Sequence, residues 1–145
     1  MRSTANYLPA DERRVARVET AAASATSPLA SLERVFMAHI EFVVAHPGVP
    51  RIIFSQLQPA EQTVAKRMVQ AMLLRYGQRM SELLTDGQSC DEVDRHIDVD
   101  AAATLFIGTI QGLVMQSLMH GDVQRIRIDA PCVFRIYRRG IERAR

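Results

Sequence analysis

The sequence predicts an all-α domain, a bundle of about six helices, on three observations. Apolar residues recur at spacings of three and four through most of the chain, the period of helices buried along one face. Strict alternation, the mark of a strand, is confined to QRIRID at 124–129. The stretch 98–121, DVDAAATLFIGTIQGLVMQSLMHG, has no charged side chain between Ala101 and Met119 and reads as a helix buried around most of its circumference.

Residues 9–25, PADERRVARVETAAASA, open on a proline and acids, which suit a first helical turn. Their apolar face is thin, Val15, Val18, Ala22 and Ala25, so this helix packs lightly. We divide the chain there: 1–26 as a connector helix, 27–145 as the folded domain. Ser27-Pro28 is a cap followed by a first-turn proline. The helix it starts carries the stripe Leu29, Leu32, Phe36, Ile40 and Val43, widened by Val35, Phe42 and Val44, with Glu33, Arg34 and Glu41 on the wet side. Pro47-Gly48 stops it. Residues 49–57 form a short helix that caps the bundle with Ile52, Ile53 and Phe54. Pro59 opens the longest helix, which Gly87 closes. One of its stripes is Val64, Met68 and Met72; the other is Val69, Leu73, Tyr76, Met80, Leu83 and Leu84. A polar, acidic loop follows at 88–97. Asp98 caps the 98–121 helix, Gly121 ends it, and 122–129 is an irregular connector. Asp129 caps a last helix with Val133, Phe134, Ile136, Tyr137 and Ile141 apolar and Arg135, Arg138, Arg139 and Arg143 solvated.

The 98–121 helix is long enough to be mistaken for a membrane span, but Thr104, Thr109, Gln111, Gln116 and Ser117 weaken that reading. Two stripes divide it instead. Ala101, Leu105, Gly108, Gly112, Met115 and Met119 form a seam whose first four positions are small or slim, and two helix glycines at about 1 kcal/mol each are best compensated by close approach of another backbone. Phe106, Ile110, Leu113 and Ser117 carry the bulk of an ordinary core. We therefore expect this helix to lie between its own core and a second subunit; a central helix of a monomeric bundle is the alternative.

Composition bounds the function. The 145 residues form one domain, able to bury a core without disulfides or metal. A net charge of +2, with Lys66 the sole lysine, argues against a strongly basic nucleic-acid surface. Cys90 and Cys132 have no paired-ligand spacing and suit reduced thiols in the cytoplasm. The residues after Met1 resemble no signal peptide. No phosphate loop, GxSxG or Cys/His catalytic motif occurs, so no catalytic residue is assigned and the chain is not read as an enzyme. The cluster Cys90, Asp91, Asp94, His96, Asp98 and Asp100 lacks the glycine and bidentate glutamate of a calcium loop, and His39 with His46 makes two ligands at most. No metal or cofactor is assigned.

A ligand cavity is better motivated. Phe36, His39, Ile40 and Val43, Met68, Met72, Tyr76 and Met80, and Phe106, Thr109, Ile110 and Leu113 sit on faces that can converge on one interior. Methionines adapt to irregular apolar ligands, and His39, Tyr76 and Thr109 would orient a small apolar or aromatic effector. Plain core packing is the competing account of the same residues.

Three segments taken together resemble a known family. The AHPG at 45–48, the LLTDGQ at 83–88 and the GTIQGL at 108–113, in this order of helices, are similar to the C-terminal regulatory domain of tetracycline-repressor-type (TetR family) transcriptional regulators over about residues 28–145. The resemblance implies a homodimer in which helices 98–120 and 130–143 pair with their symmetry mates as a four-helix bundle, with Phe134, Tyr137 and Ile141 as the last helix's share of the interface. It also implies an effector cavity coupled to DNA affinity. The family's helix-turn-helix has no counterpart in the sequence, so operator DNA is expected to be reached only through a head this chain lacks. Alternatives are a helical protein-interaction module without small-molecule ligand, and behind it a metal sensor or small enzyme.

Overall fold

In the computed structural model, which describes residues 27–145, α1 (Pro28–Ala45) begins where a hydroxyl meets a proline. The Ser27 Oγ accepts from the Ala30 amide at 3.2 Å, and Pro28 takes the first helical position. Four helices follow: α2 (Gly48–Leu57), α3 (Val64–Ser89), α4 (Val99–His120) and α5 (Arg125–Ile141). The helix expected over 9–25 lies outside the described residues. The other five expected elements are found, with no strand among the described residues.

Three boundaries differ from expectation, each for a physical reason. Residues 59–63 are exposed, and α3 starts after Thr63, whose Oγ1 accepts from the Lys66 amide at 3.1 Å. Gly87 does not end α3; it lies buried within it, and a Cβ there would stand 2.5 Å from Cγ2 of Val93. That glycine is present for close approach of the following loop, not for a left-handed cap. The last helix starts at Arg125 and runs through Pro131, because Ile126, buried to 2% exposure, begins the stripe that Ala130, Phe134, Tyr137 and Ile141 continue. Burying Ile126 and Ala130 outweighs the proline's missing amide. The Asp98 cap and the Gly121 terminus of α4, at φ 71°, are as expected.

The helices form one bundle in which α1 packs on α3 and α5, while α4 packs on α3, α5 and α1. Its centre is aromatic. Phe36 meets Phe106 edge-on at 5.7 Å and Phe134 at 5.1 Å, and Tyr137 stands 5.7 Å from Phe106 and 5.9 Å from Phe134. Such pairs contribute about 0.5–1.5 kcal/mol each beyond the area they bury. The Tyr137 hydroxyl donates to the Ala102 carbonyl at 2.8 Å, and burial pushes its pKa above the ordinary tyrosine value.

One end of the bundle is stapled by the acidic segment 90–97. Glu92 accepts from the Leu29 amide at 2.9 Å, satisfying an orphan donor in the first turn of α1. Its carbonyl accepts from Arg143 at 3.0 Å, and the Asp94 amide donates to Ile141 at 2.9 Å. Gln88 donates to the carbonyls of Asp94 and Ile97, and Val93 is 1% exposed. The loop is thus a structural clasp joining α1, α3 and the chain's last turn.

With 22 residues and a mean hydropathy of 1.4 over its most apolar window, α4 has the length and composition to cross a membrane. In the bundle, Ala102, Ala103, Phe106, Ile110, Leu113, Val114 and Ser117 are instead buried against its neighbours.

Candidate functional site

At the end away from the clasp, the bundle is not solid. Pro47-Gly48 breaks the chain after α1, and α2 packs against α3. Pro50, Ile53, Phe54 and Leu57 of α2 form one wall of a cleft whose other walls are His39 and Val43 of α1, Met72, Leu73 and Tyr76 of α3, and Ile107, Ile110, Gln111 and Val114 of α4. Its cavity volume is about 60 Å³. At about 10–15 Å³ per water, that is room for a handful of water molecules, so a larger ligand must displace side chains or shift α2.

Polar groups are few among the described lining residues. His39 Nδ1 and the Tyr76 hydroxyl share a hydrogen bond of 3.0 Å, their rings edge-on with centroids 5.5 Å apart. Gln111 lies exposed among the lining residues. No described residue lining the cleft is acidic or a lysine or arginine. An apolar slot with a small convergent polar group is the usual form of a small-molecule site.

Of the residues expected to bind ligand, His39, Val43, Met72, Tyr76 and Ile110 line this cleft. The rest do not. Phe36, Ile40, Met80 and Phe106, at 0–2% exposure, are consumed by the solid core. Met68 points outward from α3 at 58% exposure. Thr109 and Leu113 line a groove on another side of α4, and the Thr109 hydroxyl donates to the Leu105 carbonyl of its own helix at 2.6 Å. The α2 wall of the cleft was not among the expected ligand residues. Its signal was present in RIIFSQL between prolines, an apolar segment too short to stand alone; Ile52, expected to cap the bundle, is 62% exposed.

The second feature is the outer side of α4 and α5. Leu105, Met115 and Met119 on α4 and Ile128 and Ile136 on α5 are 46–78% exposed. Ala101 and Gly108 are exposed and Gly112 half-buried. A Cβ added at Gly108 or Gly112 would meet nothing within 4 Å, so nothing in the described part of the protomer requires glycine there. Between the helices lies an open groove of about 360 Å³ bordered by Gly108, Gly112, Gln116, Asp129, Cys132 and Val133, with Thr109 and Leu113. Phe134, Tyr137 and Ile141, expected on an interface, are 1%, 6% and 3% exposed and belong to the protomer's own core. The α5 periodicity was read correctly as burial and assigned to the wrong neighbour.

Among the described residues, no three of His, Cys, Asp and Glu come together as metal ligands. His46 is exposed and packs its ring on Phe42 at 4.9 Å.

Comparison with known proteins agrees with this architecture. Residues 59–128 match the family described as tetracyclin repressor-like, C-terminal domain. No curated protein sequence matches the chain. Among solved structures, the chain is similar to the ketosteroid transcriptional regulator of Mycobacterium tuberculosis, with a TM-score of 0.80 and 18% identity over 92% of this chain and 68% of that one. It is similar to a TetR transcriptional regulator from Chloroflexus aurantiacus, with a TM-score of 0.77 and 15% identity over 97% and 71%. The fatty acid degradation regulator of Bacillus halodurans aligns with a TM-score of 0.74 and 18% identity over 88% and 68%.

Proposed function

We propose that this chain, which carries a tetracyclin repressor-like C-terminal domain over residues 59–128, is the effector-sensing and dimerising part of a transcriptional regulator. The observation that carries the reading is the apolar cleft walled by α2, with the His39–Tyr76 pair at its polar point. Two regulators of similar fold are named for ketosteroid regulation and fatty acid degradation, which supports an apolar effector.

The exposed side of α4 and α5 supports a homodimer. Two glycines whose cost of about 1 kcal/mol each has no return within the described protomer, and a row of large exposed apolar side chains, suit a twofold partner that presents the same face. Because α4 contributes Ile107, Ile110, Gln111 and Val114 to the cleft and Leu105, Gly108 and Met115 to the open face, one rigid helix touches both. Effector binding would then favour one dimer geometry over another and so change affinity for operator DNA, provided the effector binds the two geometries unequally.

Two measurements test this. Thermal unfolding against a panel of apolar and aromatic small molecules is expected to show a raised midpoint for some members, since a ligand that binds only the folded state must stabilise it; a flat panel contradicts sensing. Sedimentation is expected to show a dimer at micromolar concentration that Gly112→Leu dissociates by overpacking the seam. A wild-type monomer contradicts the interface.

A further inference from the structure

The outer side of α3 has an order of its own. Val69, Met72, Tyr76 and Met80 turn inward and are buried, whereas Val64, Met68 and Leu74 turn outward and are 58–65% exposed. At about 100° per residue, those three share roughly 120° of the helix's circumference with Ala71, Arg67 and Arg75, which are exposed too. The strip is one helix face wide and, from Val64 to Arg75, about 16 Å long. A lone exposed apolar side chain needs no explanation, but three large ones on one strip mark a surface for contact.

Charge on this side is one-signed. Residues 47–81 hold four arginines and one lysine against a single acid, Glu61, in a chain whose net charge is +2. Three arginines of α5 are answered within the protomer: Arg125 by Asp129, Arg127 by Glu41, and Arg138 by Glu33 and Glu142. Arg67 and Arg75 have no carboxylate partner among the described residues; Arg67 donates to the Gln62 carbonyl at 3.4 Å. A second copy of the chain laid here about a twofold axis would set these arginines against their own kind. A bilayer would gain little, because no aromatic and only three large apolar side chains stand out of the strip. A helix with an apolar stripe flanked by carboxylates fits on both counts: its stripe covers Val64, Met68 and Leu74, and its acids meet the guanidinium forks of Arg67 and Arg75.

We propose that the outer face of α3 docks an acidic amphipathic helix of a partner protein. This surface is separate from the cleft and from the α4–α5 side, and it does not rest on the sensing reading.

The test titrates the intact chain into labelled helical peptides of four turns and follows fluorescence anisotropy. Each peptide presents one stripe of four leucines, flanked by glutamate, glutamine or lysine. The glutamate peptide is expected to bind at least about tenfold more tightly than the glutamine peptide, with the lysine peptide weakest. Met68→Gln is expected to lose about tenfold of that affinity, and Arg67→Glu combined with Arg75→Glu to turn the preference toward the lysine peptide. Both variants should keep the wild-type thermal midpoint, since all three positions are exposed. The proposal is overturned if no peptide binds, if glutamate confers no advantage over glutamine, if Met68→Gln binds like the wild type, or if the double variant keeps the wild-type preference. Cosedimentation with phosphatidylserine vesicles that the same double variant abolishes would make this a lipid surface and overturn it too.

Discussion

The two ends of this bundle are built on opposite terms. At the clasped end, the 90–97 segment ties down α3 and the last turn by backbone hydrogen bonds and α1 through the Glu92 carboxylate, and the adjoining aromatic layer leaves Phe36, Phe106 and Phe134 at most 1% exposed. At the other end, α2 lies against α3, Ile53, Phe54 and Leu57 are only half-buried, and space remains between the walls. The first end holds the fold and the second leaves room for something else. A protein that fills both ends equally well has nowhere to put a ligand.

Substitutions can break that contrast or sharpen it. The largest effect is expected from Phe134→Ala, which empties the aromatic layer: about 3–5 kcal/mol lost in denaturant unfolding, with ligand affinity of the surviving folded protein little changed. Next is Gly87→Ala in the clasp, where the new methyl meets Val93 and should cost about 1–3 kcal/mol by overpacking; an unchanged midpoint would show that the loop yields freely. Tyr137→Phe tests the same layer through pH. The folded state holds the Tyr137 proton more tightly than the unfolded state, so its contribution is present below the ordinary tyrosine pKa of about 10 and is lost as pH rises above it. Wild-type stability is expected to fall there with up to about 1.4 kcal/mol per pH unit more slope than the phenylalanine variant. The smallest effect on folding is expected from Tyr76→Phe at the open end, about 0.5–1.5 kcal/mol, yet it should weaken ligand binding markedly. A stability loss at Tyr76 matching that at Phe134 would erase the distinction between the ends.

Much of the fold was legible in the sequence because its signals are local. Ser27-Pro28, Pro47-Gly48, Asp98 and Gly121 act on their own turns of helix, and each marks the boundary expected of it. Gly87 misled because a glycine at a helix end and a glycine under a crossing loop look alike until Val93 is in place. The sites were harder to read. Helical period reports that a residue is buried, not by what: Met72 faces space, Met80 one face-repeat on is solid core, and Met68 is in water, although all three belong to apolar stripes of the same helix. The same blindness put Phe134 and Tyr137 on an interface, whereas the α4 seam, with two glycines among Leu105, Met115 and Met119, is open on the outside.

Those methionines also provide the most direct test of the central claim that the open end is a ligand site. The chain has seven methionines, and their methyl carbons can be labelled and followed by nuclear magnetic resonance while an apolar small molecule that raises the thermal midpoint is titrated. The account predicts that the Met72 resonance moves progressively and saturates with the binding curve, while Met80 in the packed core and Met68 on the surface stay nearly fixed. Saturable movement at Met80 or Met68 with Met72 unmoved would contradict it.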